Sequence, residues 1–225
     1  MNLICLTNKQ TTIVKTSIIF FLLLFSFQIN VRAAVNCGTL TNSGTVTISW
    51  TDSYCFFGHP GNGSNTSGAA DNATYTNDGT ISLRYRNVRA FYNGFDDTTM
   101  VNNGTIESNA QHRYGYQSAF HDEGDNGESI NNGTINLDYG ASGGNKNNGA
   151  FRFNVGSGQS FTNSSGASIT VIGLDNNPGG MISSDNTTVT NNGTFTIGGS
   201  GTSQKAIQYY SGADGQTLIN TGTIT

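Results

Sequence analysis

The chain has 225 residues, of which only 11% are charged, and it contains 30 glycines but only 2 prolines. Ten Lys and Arg against 14 Asp and Glu give a net charge of −4, which disfavours nucleic acid as a partner because nucleic-acid-binding surfaces are basic. Such a polar, glycine-rich composition suits either disorder or a β-architecture. Disordered chains tend to be rich in proline and charge, so the composition favours the β-architecture.

The first 33 residues have the layout of an export signal. Two lysines precede an apolar run over 18–25, and small side chains follow at Ala33 and Ala34, which is the order found in signal peptides. The apolar run is shorter than the roughly 20 residues of a membrane-spanning helix. We therefore predict a cleaved signal peptide over 1–33 and a mature domain over 34–225, from which three of the ten basic residues and no acidic residue have been removed.

Two cysteines, Cys37 and Cys55, remain at the start of the mature chain, because Cys5 leaves with the signal peptide. An oxidising compartment permits disulfide formation. Neither a C-x-x-C motif nor a histidine cluster stands beside them, which disfavours a metal or redox role. The sequence predicts a structural disulfide between Cys37 and Cys55.

One short motif recurs about every 30 residues along the mature chain. It reads apolar-x-Asn-x-Gly-Thr-apolar, and its seven copies, of which one starts with serine and one carries insertions, occupy residues 40–46, 75–81, 100–106, 129–135, 161–169, 189–195 and 218–224. A second apolar anchor precedes most copies by a nearly constant distance, at Ala90-Phe91, Ala119-Phe120, Ala150-Phe151, Gly180-Met181 and Ala206-Ile207. A fixed period with two anchors is typical of a repeat protein.

Apolar residues alternate with polar ones after each motif glycine, as at Ile81 and Leu83 or Ile135 and Leu137. Alternation with a period of two predicts half-buried strands. The Asn-x-Gly step predicts a corner, since asparagine tolerates the left-handed backbone region and glycine enters it without steric cost. Stacked copies would also align their asparagines in an amide ladder.

These features together predict an all-β parallel β-helix of about seven coils, each with two or three short strands. A β-sandwich is disfavoured, because its strands recur every 8–12 residues or so without a shared motif.

The alternation of Asn-x-Gly-Thr-Ile units with Ala-Phe or Ala-Ile units resembles the passenger regions of Gram-negative autotransporters and related secreted adhesins, over roughly residues 40–225. The resemblance implies a right-handed parallel β-helix that is exported by a signal peptide and displayed at the cell surface or secreted. It also implies an outer-membrane translocator barrel, and the sequence contains no such series of strands. We therefore expect the chain to be part of a longer protein.

An acid–base pair or a calcium site would require carboxylates that lie close together. The segment that contains Asp122, Glu123 and Asp125 combines glycine with oxygen-bearing side chains, as calcium-binding loops do. It does not have the spacing of an EF-hand, and a solvated acidic loop is the simpler interpretation. Three scattered histidines, His59, His112 and His121, form no zinc-type pair, and surface positions are the simpler interpretation for them. The sequence thus indicates no catalytic residue, no cofactor and no metal beyond that weak calcium candidate.

Aromatic residues allow two interpretations. Tyr92 and Tyr139, together with Phe91, Phe120 and Phe151, could line a sugar-binding face or belong to a stacked core, and the core is favoured. The leading functional hypothesis is a non-enzymatic bacterial surface or secreted protein that adheres to a host-cell, matrix or glycan surface, or to itself. The alternative is a carbohydrate-active β-helix of the lyase or depolymerase kind, with its site near Asp122.

Overall fold

The computed structural model describes residues 37, 40–49, 53–61, 65–85, 87–108, 117–139, 149–173, 178–199 and 205–225. The predicted signal peptide lies outside these ranges. None of the described segments is helical, and accordingly none offers a helix long and apolar enough to cross a membrane.

Within the described ranges, twenty strands form three parallel sheets, and the chain visits the sheets in a fixed order. Sheet 1 contains β1 (Thr41–Asn42), β4 (Thr74–Asn77), β7 (Thr99–Asn102), β10 (Glu128–Asn131), β13 (Ser160–Asn163), β16 (Thr188–Asn191) and β19 (Thr217–Asn220). Sheet 2 contains β2 (Thr45–Ile48), β5 (Thr80–Leu83), β8 (Thr105–Ser108), β11 (Thr134–Asp138), β14 (Ser168–Ile172), β17 (Thr194–Gly198) and β20 (Thr223–Ile224). Sheet 3 contains β3 (Tyr54–Gly58), β6 (Val88–Asn93), β9 (Gln117–Asp122), β12 (Gly149–Phe153), β15 (Pro178–Ile182) and β18 (Lys205–Tyr209).

The predicted fold class is confirmed: the chain is an all-β parallel β-solenoid. The coil count differs from the predicted seven, because the described strands make six complete coils and a last turn with strands in sheets 1 and 2 only. Motif copies align in register even where the sequence departs from the consensus. Ser129 pairs with Met100 and Phe161, and the insertions after Asn163 leave Ser168 beside Thr134 and Thr194.

The core consists of columns of like side chains that run from coil to coil. In sheet 3 the rings of Phe56, Phe91 and Phe120 stack with centroids 4.9 and 5.0 Å apart, and all three are fully buried. Sheet 2 contributes a matching apolar column, also buried, made of Ile81, Ile106, Ile135, Ile169 and Phe195. Each coil alone would expose its one apolar face, so burial depends on stacking.

The predicted amide ladder is present inside sheet 1. Each motif asparagine donates from Nδ2 to Oδ1 of the asparagine in the next coil, over 2.7–2.9 Å, along Asn42, Asn77, Asn102, Asn131, Asn163, Asn191 and Asn220. Asn77, Asn102 and Asn131 are fully buried. A buried amide requires partners for both its donor and its acceptor, and in-register stacking provides them.

The physical reason for the motif glycines differs from the prediction. The left-handed conformation expected at Asn-x-Gly is absent at Gly79, Gly104 and Gly133, none of which has a positive φ. These glycines are needed because a Cβ there would collide with the carbonyl oxygen of the glycine one coil earlier. Close approach between coils thus selects glycine at this corner.

Four of the five described non-glycine residues with a positive φ lie at a different corner, where sheet 3 leads into sheet 1, and the fifth, Asn87, directly precedes β6. Asn72, Asp97, Asn126 and Asn186 have φ between 53° and 61°. Asn and Asp are the non-glycine residues that tolerate this region best. The tight backbone turn of each coil is therefore made at this corner, and not at the Asn-x-Gly corner where it was predicted.

Cys37 and Cys55 form a disulfide with their Cα atoms 5.1 Å apart and a sequence separation of 18. Cys55 lies in β3 and is fully buried, so the bridge ties the segment before β1 to the first strand of sheet 3.

Reduction of this disulfide should destabilise the first coil. Closing a loop of this size limits the unfolded chain and contributes about 3 kcal/mol. We expect a lower urea midpoint for the reduced protein, and the same lower midpoint for the Cys37→Ser, Cys55→Ser double variant without any further effect of reductant. An unchanged midpoint would show that the bridge has no stabilising role.

Candidate functional site on the outer face of the third sheet

The three predicted calcium ligands are not brought together. The side chain of Asp122 is fully buried, whereas Glu123 is half-buried and Asp125 is exposed. Within the described part of the chain, no three His, Cys, Asp or Glu side chains are placed to hold a metal ion. The geometry therefore does not support the calcium interpretation.

Asp125 belongs to a row of carboxylates that link successive coils at the corner between sheets 3 and 1. Its backbone N–H donates to Asp96 Oδ1 over 2.9 Å, and its own Oδ1 accepts from the N–H of Ser157 over 2.9 Å. Asp185 Oδ1 accepts from the N–H of Asp214 in the same way. These acidic residues cap backbone groups, which explains the acidic loop without a metal.

A column of larger side chains follows the outer side of sheet 3. Phe57, Tyr92, His121 and Arg152 pair in register across β3, β6, β9 and β12. The Tyr92 hydroxyl donates to Glu123 Oε2 over 2.7 Å. His121 Nε2 lies 3.1 Å from Glu123 Oε1. Glu123 thus connects two neighbouring members of the column.

Aromatic rings and an arginine extend this column toward the first coil. The ring of Tyr54 stacks on those of Phe57 and Tyr92, with centroids 5.0 and 5.1 Å apart. The guanidinium carbon of Arg89 lies 5.4 and 5.2 Å from the ring centroids of Tyr54 and Tyr92, and its Nη1 donates to the Tyr54 hydroxyl over 3.3 Å. Tyr54, Arg89 and Tyr92 are all half-buried.

Burial and hydrogen bonding set the charges of this cluster. Burial lowers the pKa of His121 to about 4, so the imidazole is neutral at pH 7. Burial acts to raise the pKa of Glu123, but the contacts with His121, Tyr92 and Arg89 outweigh it and hold this pKa at about 2. At neutral pH the cluster therefore combines the cations Arg89 and Arg152 with one ionised carboxylate.

The buried carboxyl of Asp122 predicts a pH-dependent stability. Its Oδ1 accepts from Asn93 Nδ2 over 2.8 Å and from the Gly124 N–H over 3.2 Å, whereas Oδ2 lies buried beside Gly127. Burial raises the pKa of Asp122 to about 7. Because the pKa is higher in the folded state, the neutral acid stabilises the fold fully below about pH 4, and this contribution is lost as the pH rises through 7.

The loss should be on the order of 4 kcal/mol, from about three pKa units. His121 opposes this trend, because its low folded-state pKa adds stability as the pH rises from about 4 to about 6.5. Asp122→Asn, which cannot ionise, should therefore gain stability relative to the parent protein between pH 4.5 and pH 8, and it should be the more stable of the two at pH 8. Parallel pH profiles for the two proteins would contradict the assignment.

Sequence reasoning missed the outer cluster apart from Tyr92, which was favoured as core. Tyr54, Arg89 and Arg152 were not singled out, and His121 was taken as a surface residue although it is only 3% exposed. The available signal was positional: Tyr92, His121 and Arg152 each follow the aromatic residue of an Ala-Phe anchor directly. The remaining histidine of note, His112, lies outside the described residues.

Comparison with protein-family models, with curated proteins and with solved structures finds no significant match to this chain.

Proposed function

We propose that the chain is an exported, non-enzymatic β-solenoid of a Gram-negative bacterial surface, which presents its outer faces for adhesion or self-association. The observation that supports this most is the division of each coil between a repeated interior and a varied exterior. Inside, the asparagine ladder and apolar columns recur in every coil. Outside, the column at Phe57, Tyr92, His121 and Arg152 changes chemistry at each step.

Such a construction suits a display scaffold. Every backbone group of an inner strand pairs with the coils on either side, so outer side chains are held on a rigid frame and can vary without loss of the core. The partners we propose are a host-cell, matrix or glycan surface or a second copy, with a translocator supplying passage through the outer membrane. The likeness of the repeat to autotransporter passengers supports the same role.

Export and adhesion can be tested together. The chain with residues 1–33 intact is expressed in a Gram-negative host, and the same chain fused to an outer-membrane anchor is displayed on non-adherent cells. We expect removal of residues 1–33 during export, and adhesion or autoaggregation of the displaying cells. Retention of the unprocessed chain in the cytoplasm, or displaying cells that neither adhere nor aggregate, would contradict the proposal.

A carbohydrate-active function is the second candidate, and it moves from Asp122 to the outer cluster. Asp122 is buried, whereas the half-buried carboxylate of Glu123 lies beside the Tyr92 hydroxyl and the His121 imidazole. Incubation with a panel of acidic and neutral polysaccharides would reveal new reducing ends or unsaturated products. Activity abolished by Glu123→Gln would establish this candidate, and uniform inactivity would eliminate it.

A further inference from the structure

We propose that the outer face of sheet 3, around Arg89, Tyr54 and Tyr92, binds a carboxylated polysaccharide, such as a polymer of uronic acid residues. This inference rests on the proposed surface role and names the ligand class for it.

The first support is the unequal distribution of charge around the coil. Of the four described Lys and Arg residues, Arg84 pairs with Glu107 at 2.9 Å, and the other three, Arg89, Arg152 and Lys205, lie on sheet 3. The corner that follows sheet 3 carries a row of exposed carboxylates instead, at Asp71, Asp96, Asp97, Asp125, Asp185 and Asp214. The outer cluster on sheet 3 contains one ionised carboxylate, Glu123, against these cations, so an anionic polymer would be attracted to this face and repelled by the corner.

Arg89 has the chemistry to recognise a carboxylate. Its planar guanidinium has five N–H donors in a fork that matches two carboxylate oxygens. One described contact uses Nη1, toward the Tyr54 hydroxyl, and no ion pair of Arg89 occurs among the described residues. The guanidinium therefore lies over two tyrosine rings, near the ionised Glu123 but with no described carboxylate within ion-pair distance.

Tyr54 and Tyr92 supply the second element of a sugar site. The ring faces are occupied by each other, by Phe57 and by Arg89, so Tyr54 and Tyr92 offer a sugar their ring edges and their hydroxyl oxygens. Stacking fixes the Tyr54 ring against Phe57 and Tyr92, and the hydrogen bond to Glu123 fixes the Tyr92 hydroxyl. Side chains that are already immobile lose little entropy on binding.

The spacing of the cations favours a polymer over a single sugar. Arg152 lies in the same outer column as Tyr92 and two coils further on, which is about 10 Å along the solenoid axis. A polysaccharide lying along the axis would meet Arg89 and the tyrosines first and Arg152 after a few sugar units. A ligand with carboxylates at regular intervals fits this arrangement.

The test measures binding of the purified protein to polygalacturonate by titration calorimetry at low and at physiological salt. Fully methyl-esterified polygalacturonate is the matched ligand, because it keeps the sugar chain and removes the charge, and dextran sulfate tests simple anion attraction. The variants are Arg89→Gln and the matched control Lys205→Gln, which removes an exposed cation from the last strand of the same sheet. Thermal unfolding verifies that both variants are folded.

We expect polygalacturonate to bind at least tenfold more tightly than its methyl ester or dextran sulfate. Arg89→Gln should weaken that binding about tenfold or more, and Lys205→Gln should change it less than twofold. Equal binding of the ester or of dextran sulfate, equal loss in both variants, or no binding at all would overturn the inference. The two ligand comparisons use the parent protein only, so they remain decisive if Arg89→Gln fails to fold.

Two outcomes separate this inference from the proposed surface role. If the purified protein does not bind polygalacturonate while displaying cells still adhere to another surface, the proposed ligand class is wrong and the proposed surface role stands. If light scattering shows self-association that Arg89→Gln abolishes, and no glycan binds, the face of sheet 3 binds a second copy and the glycan inference is overturned.

Discussion

Replacement of Gly104 by alanine should be among the most damaging single changes in the protein. A Cβ at this position would collide with the carbonyl oxygen of Gly79 in the preceding coil, and that oxygen belongs to the backbone and cannot rotate away. The coils would have to separate locally, which also stretches the hydrogen bond from the Thr105 N–H to the same carbonyl. We expect a loss of about 3 kcal/mol or more in the free energy of unfolding, measured by urea denaturation.

Gly44→Ala is the matched control. Gly44 occupies the same motif position in the first coil, but a Cβ there would meet nothing within 4 Å. Its φ is not positive, so alanine needs no strained conformation. The expected change is below about 1 kcal/mol. If both glycines responded equally, the motif glycine would be selected by the turn conformation and not by the approach of neighbouring coils.

Asn102→Ala should have an effect of similar size for a different reason. The amide of Asn102 accepts from Asn77 Nδ2 over 2.7 Å and donates to Asn131 Oδ1 over 2.8 Å, and the residue is fully buried. Its removal leaves a buried donor and a buried acceptor without partners, and each such group costs about 1–3 kcal/mol. We expect a loss of about 3 kcal/mol or more.

The neighbouring residue provides the control for this prediction. Asn103 also belongs to a ladder, since it donates to Asp78 Oδ1 and accepts from Asn132 Nδ2, but that ladder is exposed. Water can replace the lost partners there, so Asn103→Ala should cost less than about 0.5 kcal/mol. Equal losses in the free energy of unfolding for the two variants would mean that burial does not determine how much the inner ladder stabilises the fold.

The register of the solenoid was predictable from the sequence because period and parity act together. The motif asparagines recur once per coil, and Met100, Asn102, Gly104 and Ile106 follow one another in steps of two, which places these positions on one side of the backbone. In-register pairing of Asn102 with Asn77 and Asn131 follows once coils are stacked. The core aromatics Phe91, Phe120 and Phe151 were predictable for the same reason.

The corner between sheets 3 and 1 was not predicted, although the sequence contains a signal for it. The pairs Asp96-Asp97, Asp125-Asn126 and Asp185-Asn186 place a left-handed residue directly after an aspartate that caps the next coil. The turn was predicted at the motif instead, because the motif also contains an asparagine. The motif asparagine serves the buried ladder, and the conformational tolerance of Asn and Asp is used at this other corner.

The outer cluster could not be derived without the structure, because its contacts depend on coil length. Arg89 reaches the hydroxyl of Tyr54 across 35 residues of sequence, and Tyr92 reaches Glu123 across 31. Coils vary in length between the anchors, so the neighbours of an outer side chain are not fixed by the motif. The interior tolerates this variation, since loops absorb it.

The most direct test of the proposed role is adhesion of displaying cells to a defined surface. Cells that display the parent chain, Arg89→Gln or Lys205→Gln are washed over surfaces coated with polygalacturonate, with its methyl ester, or left uncoated. We expect parent and Lys205→Gln cells to be retained on polygalacturonate alone, and Arg89→Gln cells to be washed away. Retention that is equal on all three surfaces, or independent of Arg89, would contradict the account.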